Sequence, residues 1–270
     1  MHPTLFHIAG FAVPSHDTFV FLGVLAAGFV FARETKTRGA ADERLLWIIA
    51  GTLLGGAVGA KLGTSWRYVA ITHDHSLAGI LLNGGRSILG GLAGAYAGAV
   101  ITKRLVGYEK KTGDLFAPAV SAGMAVGRWG CFLSEQVGTP TTLPWGVRLS
   151  DASLARIPNC PYCAPGVALH PSFLYEIAFQ GAMFLLLIGY FRQRVTADGD
   201  LFKIYLLAYA VFRFFVEFVR GNDVMWLGLT GSQLFLVPST LALAVYFARR
   251  HWVERRRFTI APLLAPEADG

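Results

Sequence analysis

The chain has 270 residues, 54% of them hydrophobic and 15% charged, with a mean hydropathy of +0.48 and a formal net charge of +7. That balance excludes an ordinary soluble domain and implies a protein with several membrane-spanning segments. The basic residues sit in short clusters between apolar runs, as topology signals do, so the net charge does not indicate a nucleic-acid partner.

Met1-His2-Pro3-Thr4-Leu5-Phe6-His7 carries no Lys or Arg before the first apolar run, which points to a retained helix and not a cleaved signal peptide. Apolar windows near the 20 or so residues a bilayer requires fall at 17–33, 45–62, 88–106, 114–128, 172–191, 201–220 and 231–249. Pro118 interrupts the fourth, which is also short. The expected fold is an all-α integral membrane protein with about seven transmembrane helices, forming a single polytopic domain over residues 1–270. Residues 258–270 read as a disordered tail. Gly51, Gly55, Gly56 and Gly59, with Gly90, Gly91, Gly94 and Gly98, mark close helix packing.

Sixteen of the 24 Lys and Arg residues fall in the 33–44, 103–111, 192–203 and 249–257 segments. The positive-inside rule places these segments and the C-terminus in the cytoplasm. The N-terminus and the 63–87, 129–171 and 221–230 segments then face outward, and the 129–171 loop is expected to form part of a site.

Three arginine-containing clusters lie at or near that outer side. The first is Asn83-Gly84-Gly85-Arg86-Ser87, entering the third span. The second is Gly127-Arg128-Trp129-Gly130-Cys131-Phe132-Leu133-Ser134-Glu135, leaving the fourth. The third holds Arg213, Glu217 and Arg220, spaced to share one helix face. Charges at membrane depth are costly unless they pair or bind, so this stripe is expected to face the bundle interior. The arginines outnumber the carboxylates, and guanidinium matches phosphate geometry, so the clusters suggest a site for an anionic phospholipid headgroup. His170-Pro171-Ser172-Phe173-Leu174-Tyr175-Glu176 opens the fifth span, with Ser172 as a potential helix cap, Glu176 as an acid near the helix start and His170 as a proton carrier.

The three cysteines, Cys131, Cys160 and Cys163, all lie in the outer loop. A Cys160–Cys163 or a Cys131–Cys160 bridge would staple that loop. Zinc held by Cys131, Cys160, Cys163 and His170 is an alternative. A redox-active Cys160-Pro161-Tyr162-Cys163 pair is another, and would imply a membrane thiol oxidoreductase.

Several of these stretches together resemble one family. Gly127-Arg128-x-Gly-x-Phe, then Glu135-x-x-Gly138-x-Pro-Thr-x-Leu-Pro-Trp-Gly, then His170-Pro171-x-x-Leu174-Tyr175-Glu176, then Arg213-Phe214-x-x-Glu217-Phe218-x-Arg220 with Gln233 after it, look like prolipoprotein diacylglyceryl transferase. The resemblance runs from about residue 15 to 245. It implies a transferase of the bacterial cytoplasmic (inner) membrane, with its active site on the outer side. Such an enzyme moves the diacylglyceryl group of phosphatidylglycerol to a prolipoprotein lipobox cysteine, or a related acceptor, and releases glycerol phosphate.

By carry-over, Arg128 and Arg213 bind and polarise the phosphate, with Glu135 and Cys131 also in the catalytic set. Gly138 allows close approach of the lipid, while Glu217 and Arg220 hold Arg213. Arg86, Ser87, His170, Tyr175, Glu176 and His16 complete the substrate-binding set. The partners expected are phosphatidylglycerol, the acceptor cysteine and membrane lipid, for a monomer with no cofactor or metal. The chain departs from the family pattern at three places: the histidine position is Leu89, the asparagine position is Cys131, and His16 stands nearest an expected tyrosine. A phospholipid-binding relative with a different acceptor, or with no transferase activity, is the other reading these departures leave open.

Overall fold

The computed structural model describes residues 4–8, 11–73, 75–76, 78–80, 88–135, 138–154, 160–195 and 197–253. The apolar windows become seven long helices among these residues: α1 (Ser15–Thr37), α2 (Arg44–Thr72), α3 (Ile88–Leu105), α4 (Gly113–Ser134), α5 (Ser172–Leu186), α6 (Asp200–Val216) and α7 (Gly231–Val253). Short strands β1 (Thr4–Ile8), β2 (Phe11–Pro14), β3 (Val147–Arg148), β4 (Ala168–Leu169), β5 (Val224–Trp226) and β6 (Leu229–Thr230) pair only as two-stranded antiparallel ribbons. Among the described residues, four helical stretches are long and apolar enough to cross a membrane: Ser15–Thr37, Arg44–Gly63, Ser172–Arg194 and Gly231–Arg250. The protein is mostly helical and of membrane character. The tail expected at 258–270 lies outside the described residues.

The chain divides into two compact units, Thr35–Lys110 and the remainder. In the first, α2 and α3 pack through glycine. A Cβ at Gly94 would stand 2.8 Å from the Cα of Gly59, and one at Gly90 would stand 2.9 Å from the Cα of Gly63. Only hydrogen side chains permit that approach, which gives two helices van der Waals contact without any need for a hydrophobic driving force. Beyond the helix ends, the Arg44 guanidinium is paired with Asp42 at 2.8 Å, donates to the Gly107 carbonyl at 3.1 Å and lies over the Tyr108 ring. That guanidinium holds the Asp42 carboxyl below the usual carboxylate range.

The other unit contains α4, α5, α6 and α7 and the part of α1 up to Glu34. Its apolar core is Ala117, Met183, Leu187, Leu201 and Tyr205. Buried polar groups inside it are mutually satisfied: Ser121 donates to the Gln180 carbonyl at 2.8 Å, and the Tyr205 hydroxyl donates to Gln180 Oε1 at 3.1 Å. Leu187–Phe191 forms a π-helical turn that continues α5. Asp200, fully buried at the start of α6, pairs with Arg250 at 2.6 Å and Lys203 at 3.1 Å, tying α6 to α7.

Helix α4 runs farther than the sequence pattern implies. The expected span ends at residue 128, yet the helix continues to Ser134, and the Glu135 N–H bonds the Cys131 carbonyl at 2.8 Å. Nothing from Gly127 to Ser134 removes a backbone donor, and Pro118, which does, lies nine residues before that stretch. Arg128 and Cys131 therefore project from helical turns and not from a loop. Helix α1 lies against this stretch. A Cβ at Gly23 would meet the Gly123 carbonyl at 2.6 Å, and one at Gly130 would meet the His16 carbonyl at 2.9 Å.

Candidate active site

Glu176 is the centre of the site. Helix α5 starts at Ser172 with Pro171 before it, so Ser172 opens the helix as its first residue and is not its cap. One turn later Glu176 points inward and is 0% exposed. Its carboxylate faces three guanidinium groups. Arg128 Nε approaches Oε2 at 2.5 Å, Arg220 Nη1 approaches Oε1 at 2.9 Å, and Arg213 Nη1 approaches Oε1 at 3.4 Å. The role expected of Glu176, an acid favouring the helix start, is thereby replaced by that of a shared counter-ion.

Glu217 is the second buried carboxylate, 2% exposed. Its Oε2 lies 2.6 Å from Arg213 Nη1, one helical turn earlier. Its Oε1 accepts from Asn222 Nδ2 at 2.7 Å and from the Thr230 hydroxyl at 3.0 Å. Gln233 supports that arrangement by accepting from the Thr230 N–H at 2.9 Å and donating to the Phe214 carbonyl at 3.0 Å. Arg213 is thus held by Glu217 as expected. Arg220 acts differently from the expectation: it pairs with Glu176 and stacks over the Phe173 ring at 4.7 Å.

Three arginines face two carboxylates, so the cluster carries a formal surplus of one positive charge. Arg213 Nη1 is buried and has ion-pair contacts without a well-aligned hydrogen bond.

Three further groups border the cluster. His170 Nδ1 and the Trp145 indole N–H both reach the Tyr175 hydroxyl, at 3.2 and 2.9 Å. Tyr209 lies beside Arg128. On the α1 side, Arg128 Nη1 lies 3.8 Å from Cys131 Sγ, and His16 Nε2 lies 3.5 Å from Glu135 Oε1.

Gly138 has a different neighbour from the one expected. A Cβ there would stand 2.5 Å from both the His170 and the Val219 carbonyl oxygens. The adjacent Thr139 N–H donates to Val219 at 3.0 Å, and its carbonyl accepts from the His170 N–H at 2.9 Å. The space a Cβ would take is filled by the protein's own backbone, and glycine there lets the segment before β3 join the ends of β4 and α6. Arg86 and Ser87 lie outside the described residues.

Of the cysteine alternatives, the structure forms the Cys160–Cys163 disulfide and leaves Cys131 free and buried. Neither the Cys131–Cys160 bridge nor the zinc site of three cysteines and His170 is formed, because the thiols of Cys160 and Cys163 are spent on each other three positions apart in a tight turn. Tyr209, Asn222 and Thr230 are site residues that the sequence pattern does not mark. Each is a lone polar or aromatic residue with no charge or spacing to single it out.

The description of the matching family model is prolipoprotein diacylglyceryl transferase, and the match extends over residues 3–249. The chain belongs to the prolipoprotein diacylglyceryl transferase family. It is 30% identical over 253 residues to a phosphatidylglycerol–prolipoprotein diacylglyceryl transferase of Finegoldia magna, covering 90% of this chain and 93% of that protein. The relative of the same description from Gloeobacter violaceus is 30% identical over 264 residues, covering 94% and 93%. That from Geobacter sulfurreducens is 30% identical over 268 residues, covering 92% and 96%. Membership makes the chain a member of a family of membrane transferases, and the arginine cluster occupies the motifs on which the resemblance rests.

Proposed function

We propose that this protein transfers the diacylglyceryl group of phosphatidylglycerol to the thiol of a prolipoprotein lipobox cysteine, releasing glycerol phosphate. The observation that carries this reading is the arrangement of Arg128, Arg213 and Arg220 around buried Glu176, with one positive charge in excess. A phosphodiester anion completes the charge balance. The reaction breaks the bond between the glyceryl carbon and the phosphate oxygen, so negative charge grows on the phosphate as sulfur attacks. Guanidinium donors already in place stabilise that growing charge without reorganisation. The carboxylates keep the donors oriented, since a free arginine side chain would lose much rotamer freedom on binding.

The acceptor supplies the nucleophile. A free thiol has a pKa near 8.5, so it must lose a proton as it attacks, and Glu135 and His16 stand beside Arg128 on the α1 side, within reach of an acceptor thiol brought to that arginine. All five charged residues of the cluster come from one chain, which supports a monomer as the working form. The clustering of 16 of the 24 Lys and Arg residues in four segments supports seven spans in the inner membrane, with the site facing outward.

The test is transfer from labelled phosphatidylglycerol in vesicles to a lipobox cysteine peptide by the purified full-length protein. Arg128→Ala and Arg213→Ala are each expected to reduce transfer by about 10²–10³-fold, the scale of removing one preorganised charge-stabilising donor. Absence of any glycerol phosphate release by the wild-type protein would overturn the reading.

A further inference from the structure

Where the first turn of α1 meets the last turn of α4, His16, Cys131 and Glu135 converge, with one ligand atom from each lying within 4.8 Å of the others. His16 Nε2 is 3.5 Å from Glu135 Oε1. In tetrahedral zinc coordination, with bonds of about 2.0–2.3 Å, neighbouring ligand atoms stand about 3.5 Å apart. A small closure would therefore place imidazole, thiolate and carboxylate on a single ion. The outer surroundings fit as well. His16 Nδ1 lies 3.2 Å from Asp17 Oδ1, which leaves Nε2 free to face the cluster. A carboxylate on the far nitrogen is the usual device that orients a metal-binding imidazole and fixes its tautomer.

Three protein ligands with a fourth position left over is the coordination of a catalytic zinc. The neighbour of that position is informative. Arg128 borders Cys131 Sγ at 3.8 Å with one nitrogen and Glu176 at 2.5 Å with another, so a single guanidinium joins the ligand cluster to the arginine pocket.

We propose that His16, Cys131 and Glu135 bind a zinc-class divalent cation whose open position takes the acceptor cysteine as a thiolate. The inference rests on the transferase reading. On binding the cation the acceptor thiol releases its proton to solvent. The sulfur electron pair then attacks the glyceryl carbon bonded to the phosphate oxygen. The sulfur–carbon bond forms, the carbon–oxygen bond breaks, and its electron pair leaves on the phosphate of glycerol phosphate. Nothing is oxidised or reduced. The Cys131 thiolate and the Glu135 carboxylate neutralise the dication, while His16 is neutral, so a bound acceptor thiolate keeps its nucleophilicity, and Arg128 offsets the one negative charge it adds.

The test begins with full-length protein purified in detergent, stripped with a chelator and titrated with Co²⁺. A thiolate-to-cobalt charge-transfer band is expected, saturating at about one equivalent per chain. It should be lost in Cys131→Ser, and Asp17→Asn, which removes only the positioning carboxylate, should weaken binding about tenfold. Glu135→Gln should also weaken binding at least tenfold, and provides a second variant in case Cys131→Ser does not fold. A cysteine acceptor peptide should shift the band, and the same peptide with serine should not. Transfer from phosphatidylglycerol is measured on the same preparations. Transfer that survives chelation, from a protein with no cobalt band, overturns the cation site and leaves the transferase reading intact. A band that responds to the cysteine peptide, in a protein that releases no glycerol phosphate, supports the cation and thiol capture and overturns the transfer step.

Discussion

At the scale of single residues, the site depends on unequal numbers of opposite charges in a place that water reaches poorly. Glu176 serves three arginines, so its removal has consequences beyond one lost pair. Glu176→Gln leaves Arg128 and Arg220 with no carboxylate, and breaking a buried pair by removing one partner costs about 3–5 kcal/mol. We expect a lower unfolding temperature in detergent and a fall in transfer of at least tenfold. An unchanged melting curve would show that Glu176 is dispensable as a counter-ion. Arg128→Lys keeps the charge and loses the fork of donors, so it is expected to fall between wild type and Arg128→Ala in transfer rate. The charged residues were legible in the sequence because arginine and glutamate in apolar segments demand partners. Which carboxylate serves which arginine was not, since Arg220 sits seven residues from Arg213 yet pairs across to α5. Tyr209 and Asn222 were not legible either. One polar residue in a helix or turn has many uses, and only its neighbours decide among them.

At the scale of elements, glycine sets distances. Gly138 lets three segments meet, and Gly138→Ala would drive a methyl group into two backbone carbonyls. Backbone cannot move aside as a side chain can, so the cost is about 1–3 kcal/mol, with Arg220 and His170 displaced along with their segments. Reduced thermal stability together with reduced transfer is the expected result. Gly181, in the middle of α5, is the control: a Cβ there meets nothing within 4 Å, so Gly181→Ala is expected to be neutral or to stabilise by up to about 1 kcal/mol. Equal losses in the two variants would contradict the packing argument. The glycine rows of α2 and α3 could be read as packing motifs from their spacing alone. The packing of α1 on α4 through Gly23, Gly123 and Gly130 could not, and for that reason the meeting of His16 with Cys131 and Glu135 emerges only in three dimensions. The continuation of α4 past Arg128 was hidden by the drop in hydropathy, which marks where a span leaves the membrane core and says nothing about where its helix ends.

At the scale of the whole molecule, the question is which side of the membrane the arginine cluster faces. Hydropathy located the seven helices, although α2 and α4 run past the C-terminal ends of their windows, because backbone in lipid must satisfy its own hydrogen bonds, and a helix is how a single segment does so. Orientation has a different physical origin. It follows from the reluctance of Lys and Arg to cross the membrane during insertion, and the final structure retains that only as an uneven distribution of charge. The proposed acceptor carries the same requirement: a lipobox cysteine at the outer surface can be modified only if Glu176 and its arginines open to that side. The proposed orientation puts Asp151 outside and Lys110 inside, and both residues are exposed on the protein. Endogenous thiols interfere little, because Cys160 and Cys163 are joined and Cys131 is buried. A membrane-impermeant maleimide applied to intact cells is therefore expected to label Asp151→Cys, and to label Lys110→Cys only after the membrane is permeabilised. The reverse pattern would put the arginine cluster on the cytoplasmic side, where an outer-surface cysteine could not reach it, and the proposed acceptor would have to be abandoned along with the orientation.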